Sequence, residues 1–219
     1  MSNTLIIGQS KTGTTALHYS IREAEGMDWV EVFEPKTPMH LVEGILVGGQ
    51  TGHPVLSKFT TDWLTPELFP FLGRNTDNWA NKIFITRDPR DRLVSALCYY
   101  ARHDFIQDPQ KLDAFIQALG YKQDRPEDTS FFDLMSVYNK LGGRDLISHM
   151  VKSEQELVEL YYDSIPLPDS SKKVLVIPYE SFVTGESYDV LDEYLGFKVN
   201  RDPKPEEGNR KYVKRNASL

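Results

Sequence analysis

The 219-residue chain has a single cysteine, Cys98, which excludes an internal disulfide framework and a cysteine-based zinc site. Cys98 itself reads as a small buried residue on a helix. No apolar run approaches the length of a membrane span. The first residues, MSNTLIIGQSKTG, lack the basic start and long apolar stretch of a secretory signal. The expectation is a cytoplasmic protein with no membrane partner. Positive charge is in deficit: 25 Lys and Arg against 32 Asp and Glu leave a formal charge of −7. That balance argues against nucleic acid as a partner, whereas a small anion needs only local positive charge. Internal repeats, low-complexity tracts and composition-marked linkers are also missing, so residues 1–219 read as one domain able to bury a large core.

What is present is an alternation of short apolar runs with helical periodicity. TLIIG (4–8), WVEVF (29–33), PVLSK (54–58), KIFITR (82–87) and KVLVI (173–177) read as strands. Residues 14–24 read as a helix with Leu17, Ile21 and Ala24 on one face, 91–105 as a longer helix, and 188–195 as a short one ended by Gly196. Residues from about 109 to 164 are mostly helical, in four pieces broken by Gly120, Pro126 and the pair Gly142-Gly143. Hairpin signals are lacking. The pattern predicts an α/β fold: a three-layer α/β/α arrangement around a mostly parallel sheet, with the helical stretch 109–164 as an insertion or cap.

Gly8-Gln9-Ser10-Lys11-Thr12-Gly13-Thr14-Thr15 lies between the first strand and the first helix. Backbone N–H groups at a helix start converge on one point, and the dipole favours negative charge there. The glycine spacing, Gly8 and Gly13 with four residues between, matches the P-loop pattern G-x-x-x-x-G-K-[ST], as does Thr15. The lysine position holds Thr14 instead, and the cation comes from Lys11 on the arch of the loop. The fold is thus P-loop-like, and the loop is either an anion cradle or a plain glycine turn. A second segment, RDPRDRLVS (87–95), follows the strand KIFIT. Ligands in parallel sheets bind beyond the carboxyl ends of strands, so Arg87, with Ser95 on the next helix, is placed to hold a phosphate. Arg90 and Arg92 read as members of a solvated ion-pair cluster.

These two segments, in this order, resemble the sulfotransferases that use 3′-phosphoadenylyl sulfate (PAPS), and KTGTTAL is most similar to bacterial and glycan-modifying members. In that family a K-[ST]-G-T-T loop binds the 5′-phosphosulfate and an R-[ND]-P-x-[DE]-x-x-x-S segment binds the 3′-phosphate. Here they read KTGTT (11–15) and RDPRDRLVS (87–95); Tyr179-Glu180 also resembles a family segment. The resemblance covers residues 4–95 and about 172–195. It implies transfer of a sulfuryl group to a hydroxyl or amine of a small-molecule or glycan acceptor, with PAP as the departing product and no metal. It further implies that Lys11, Thr12, Gly13, Thr14 and Thr15 hold the 5′ end, that Lys11 stabilises the leaving phosphate, and that Arg87 and Ser95 hold the 3′-phosphate. Arg210 and Lys211, in the basic tail, would cover that phosphate.

The general base is left open. In many relatives it is a histidine in a K-x-H segment, where this chain has Lys58-Phe59-Thr60. Glycan-type members use a glutamate after the first helix, which makes Glu34 the candidate; Lys58 would contact acceptor or sulfate. His53 and His103 read as ordinary surface or packing histidines. Phe131, Phe132, Tyr138, Tyr161 and Tyr162 read as core rather than pocket. Two further functions stay open: a P-loop nucleotide kinase or triphosphatase, and a PAP-binding module without transferase activity.

Overall fold

The computed structural model describes residues 2–75, 78–164 and 174–203. These form two compact units. The first comprises the residues up to Thr86 and those from Gln155 onward; the second spans Arg87–Glu154.

The first unit is built on five strands: β1 (Thr4–Gly8), β2 (Val30–Phe33), β3 (Val55–Thr60), β4 (Asn81–Thr86) and β5 (Val174–Pro178). Their order is β2-β3-β1-β4-β5, and every neighbouring pair is parallel. The three central strands are covered on both faces, as their unbroken apolar runs require. Period-two alternation sends Leu5, Ile7, Val55, Phe59 and Phe84 to one side of the sheet and Ile6, Leu56, Ile83, Ile85 and Ile177 to the other. On the first side they pack with Leu41 of α2 (Pro38–Thr51), Leu68 and Leu72 of α3 (Leu68–Arg74), and Leu157 and Leu160. On the second they pack with Leu17 and Ile21 of α1 (Thr14–Arg22), Phe182 of α8 (Tyr179–Val183) and Leu191 of α9 (Tyr188–Leu195). The result is a three-layer α/β/α sandwich, all-parallel rather than mostly so.

Chain direction follows from handedness. The α1 connection carries the chain from β1 outward past β3 to the edge strand β2, and the later connections return across β1 to β4 and β5. Crossovers running in opposite directions with one hand must lie on opposite faces. The loop after β1 therefore turns to one face, and the loop after β3 to the other.

The second unit contains α4 (Pro89–Phe105), α5 (Pro109–Asp124), α6 (Phe131–Lys140) and the first part of α7 (Leu146–Ser164). Its core joins Leu97, Tyr100 and Phe105 to Phe115, Tyr138 and Met150. The unit begins with α4 rather than near residue 109 because α4 contributes half of that core. A polar knot braces it: Asp104 binds the Arg144 guanidinium through both oxygens, accepts from the Tyr138 hydroxyl, and Arg144 lies 4.2 Å over the Tyr100 ring. Burial and that carboxylate push the Tyr138 hydroxyl well above its usual range.

Several expectations are corrected. Two pieces read as separate helices at 144–150 and 153–165 are one helix, α7, because Ser153 is buried inside it and accepts from Arg92 at 3.2 Å. Arg92 is accordingly buried rather than solvated, while Arg90 does form the expected exposed pair with Asp88. Cys98 is exposed on α4 rather than buried. Phe132 and Tyr162 are largely exposed, while Tyr138 is core, and Phe131 and Tyr161 pack against core clusters. The helix α2 has no counterpart in the sequence reading. Its periodicity is masked by an apolar outer face (Met39, Leu46, Val47) and by Gly44 and Gly48, which form part of the inner one. A methyl group at Gly44 would stand 2.3 Å from Val32 Cγ2, so the glycine sets how closely α2 approaches the sheet. Gly44→Val is expected to force that helix outward and cost roughly 1–3 kcal/mol, read as a lower urea midpoint at unchanged slope; an unchanged midpoint would show that the helix packs loosely.

Candidate active site at the carboxyl edge of the sheet

The loop from Gln9 to Gly13 leaves β1 and enters α1. It is closed by its own bonds: the Thr12 hydroxyl donates to Gln9 O at 2.7 Å and the Thr12 N–H to the same oxygen at 3.3 Å. Gly13 takes φ 88° and caps α1 without a side-chain bond. Two reasons make this position glycine: the left-handed backbone, and the Tyr179 ring, which a Cβ here would approach to 2.4 Å. Gly8 is equally constrained, since a Cβ would stand 2.7–2.8 Å from Thr12, Thr14 and Ile85 side-chain atoms. Thr12 and Thr14 are buried, and Lys11 and Thr15 half-exposed. The segment Tyr179-Glu180 is thus a structural support of the loop, through its tyrosine.

Lys11 also takes a left-handed backbone, φ 70°. Among the described residues only one other non-glycine residue does so: Glu34, φ 47°. A β-carbon in that region is sterically disfavoured and persists only where the surroundings over-determine it. For Glu34 the surroundings are visible. Its N–H continues the β2–β3 ladder to Lys58 O at 3.0 Å, and its carboxylate receives the Lys58 ammonium. Lys58 is 1 % exposed and its ammonium sits 4.6 Å from the centre of the Phe33 ring. Burial holds its pKa below the usual lysine range, against the pull of Glu34. Lys58 is therefore a partner of Glu34 inside the protein, not the direct acceptor or sulfate contact the sequence suggested, because an even-numbered position of β3 points beneath α1.

Register brings these groups to one edge. Gly8 lies opposite Thr60 and Ile85, and Phe33 opposite Lys58. The turn after β3 adds a residue that sequence reasoning did not flag: the Asp62 carboxylate accepts the Ser10 N–H and so ties this turn to the loop after β1. No motif announces Asp62; only the crossing of the two loops does. Thr60 stands where a catalytic histidine would fit the sequence pattern. Its hydroxyl oxygen is buried without a hydrogen-bond partner. A shallow cleft, lined by Glu34, Pro35, Lys36, Phe59, Thr60, Trp63, Leu64 and Leu68, opens beside it.

Beneath the edge lies a second set of buried polar groups. His18 of α1 is fully buried; its Nε2 meets Glu31 Oε2 at 2.8 Å and its Nδ1 has no partner. Its ring packs edge-on to Phe33 at 5.0 Å, so it buttresses the end of β2, just before Glu34. Burial depresses its pKa more than Glu31 raises it.

Arg87 and Ser95 belong to the second unit. Arg87 follows directly on Thr86, the last residue of β4, and Ser95 is half-buried on α4. Pro89 opens α4, and Asp88 caps it by accepting from the Arg90 N–H at 2.8 Å. The paired Arg90 holds the Asp88 carboxyl down to about 2. His103 is exposed and packs, with its ring tilted, against Tyr99 at 4.3 Å, and His53 makes a surface pair with Asp28, as surface histidines do. Arg210 and Lys211 lie outside the described residues. Among the described residues no group of three or more His, Cys, Asp or Glu is placed to hold a metal ion, and no helix is long and apolar enough to cross a membrane. Comparison with family models, curated proteins and solved structures finds no match.

A depressed native pKa means that unfolding takes up a proton. The stability due to neutral, buried His18 is fully present above pH 6.5 and is lost as pH falls below it toward the native value. His18→Gln should flatten the decline in thermal midpoint between about pH 6.5 and 5; a decline as steep as in the parent would assign it to other groups.

Proposed function

We propose that the chain is a PAPS-dependent sulfotransferase acting on an acceptor hydroxyl or amine, with Lys11 at the leaving phosphate and Glu34 as base. The observation that carries the reading is that the two non-glycine residues held in left-handed backbone, Lys11 and Glu34, are the two with chemistry to do, each just past the carboxyl end of its strand. Strain of this kind concentrates where a side chain must be aimed. Support comes also from the glycine positions of the anion loop, from the half-exposed arch lysine, and from the uncapped start of α1.

In this reading the acceptor oxygen forms its bond to sulfur as the bond from sulfur to the 5′-phosphate oxygen breaks. The acceptor proton passes to the Glu34 carboxylate, and the leaving oxygen remains on PAP. Negative charge builds on that oxygen in a loose transition state. An ammonium from Lys11, aimed before the reaction, stabilises it without reorganisation. Lys58, itself buried, keeps the Glu34 carboxylate oriented through their ion pair. The loop amides, Thr14 and Thr15 bind the 5′-phosphate; Arg87 and Ser95 bind the 3′-phosphate; Thr12 and Gly13 set the loop's shape.

The test is binding and turnover in parallel. PAP should bind at low salt, and labelled PAPS should transfer sulfate to one of a panel of sugars, phenols and amines. Lys11→Ala should lower turnover about 100-fold or more with a much smaller loss of PAP affinity. Glu34→Gln should lower turnover and leave PAP affinity unchanged. Arg87→Ala should weaken PAP but not the analogue lacking the 3′-phosphate, and equal losses for both would contradict its role. Failure of PAP to bind sinks the reading; binding without transfer to any acceptor favours a PAP-binding module, and magnesium-dependent ATP turnover a triphosphatase.

A further inference from the structure

The helix α7 carries two apolar stripes. At 3.6 residues per turn, Leu146, Met150, Ser153, Leu157, Leu160 and Ser164 fall within about 40° of one line, and all six are buried. That stripe is the one a surface helix needs to attach itself to a core. Ile147, Val151, Val158 and Tyr162 form a second stripe, about 60° wide and centred about 130° from the first. They are 44–67 % exposed, and no other residue of α7 falls within that arc. The second stripe does nothing to anchor α7 and leaves an apolar strip in water. Because α7 is unbroken over its 19 residues, the helix alone fixes these positions relative to one another.

We propose that this stripe is the contact through which two copies of the chain associate, their α7 helices antiparallel. The spacing along the stripe, four residues, then seven, then four, reads the same in both directions. A two-fold axis beside the Glu154–Gln155 peptide therefore sets Ile147 against Tyr162 of the second copy and Val151 against Val158 of the second copy, each contact made twice, as an isologous interface requires.

Charge selects the direction. Lys152 is the only lysine or arginine of α7, and it lies on the same flank of the stripe as Glu159. Antiparallel helices bring like flanks together, so each Lys152 lies within a turn of Glu159 of the second copy, giving two pairs of opposite charge. A parallel pair would set Lys152 beside Lys152 and Glu159 beside Glu159. Glu154 borders the stripe at the axis and meets its own copy there, which opposes the contact. The strip is about 28 Å long and about 10 Å wide, a footprint well below the roughly 800 Å² per partner of a standard interface. Association is therefore weak and reversible, and it does not depend on the transfer reading.

Sedimentation velocity on the full chain from about 1 to 500 μM is the test. The average mass should rise with concentration from one chain toward two. Val158→Glu should weaken association about tenfold or more, with an unchanged thermal midpoint in dilute solution because the position is exposed. Lys152→Glu and Glu159→Lys should each weaken it about threefold or more, and the double variant, which exchanges the charges, should return to within about twofold of the parent. In a Cys98→Ser background, Gln155→Cys should cross-link to itself on oxidation and Ser148→Cys should not. The antiparallel register brings the two copies of residue 155 together and holds the two copies of residue 148 about 20 Å apart. A chain that stays monomeric throughout overturns the proposal and leaves the stripe to a different partner. Association indifferent to Val158→Glu, a double variant as weak as the single ones, or cross-linking at 148 as readily as at 155 overturns it as well.

Discussion

All five strands of the sheet run the same way, and the candidate chemistry depends on that constraint. A parallel sheet delivers every strand end, and so every following turn, to one edge. The glycine loop after β1, Glu34 after β2 and the Thr60–Trp63 turn after β3 are far apart in the chain. Only parallel pairing, with Gly8 opposite Thr60 and Ile85, lines up the three central ends within one row of hydrogen bonds. An antiparallel strand at any of these places would have sent its turn to the far side.

Within that frame the edge is held rigid by contacts that tolerate little change. The loop after β1 is wedged between the Tyr179 ring and Ile85, at glycines whose absent β-carbons are already occupied by neighbours. Such close packing transmits small displacements rather than absorbing them. It helps the loop keep the left-handed turn at Lys11. On β2 the same role falls to charge. Lys58, buried and paired to Glu34, fixes a carboxylate that would otherwise swing with its exposed strand end.

The buried polar groups lie close together under this edge: His18, Lys58 and Thr60 all sit between α1 and the strands that end at the site. Desolvation there is unfavourable for charge, as the lowered pKa of both His18 and Lys58 records. Two of these buried groups, His18 and Thr60, keep an atom without a hydrogen-bond partner.

The sequence by itself determined the class of fold and the glycine turn between β1 and α1. Apolar runs such as TLIIG and KIFIT can only be doubly covered strands, and the Gly8 and Gly13 spacing can only turn tightly into α1, because both are local consequences of backbone sterics and side-chain period. Gly196 ends α9 at φ 78° for the same local reason. Tertiary structure alone decided the rest. Gly44 and Gly48 let α2 pack where no amphipathic pattern is legible, Lys58 turns inward to Glu34, Arg92 is buried on Ser153, and Asp62 meets Ser10 across 52 residues. These depend on which strand lies beside which, and the order β2-β3-β1-β4-β5 is a property of the assembled sheet, written into no single stretch of the chain.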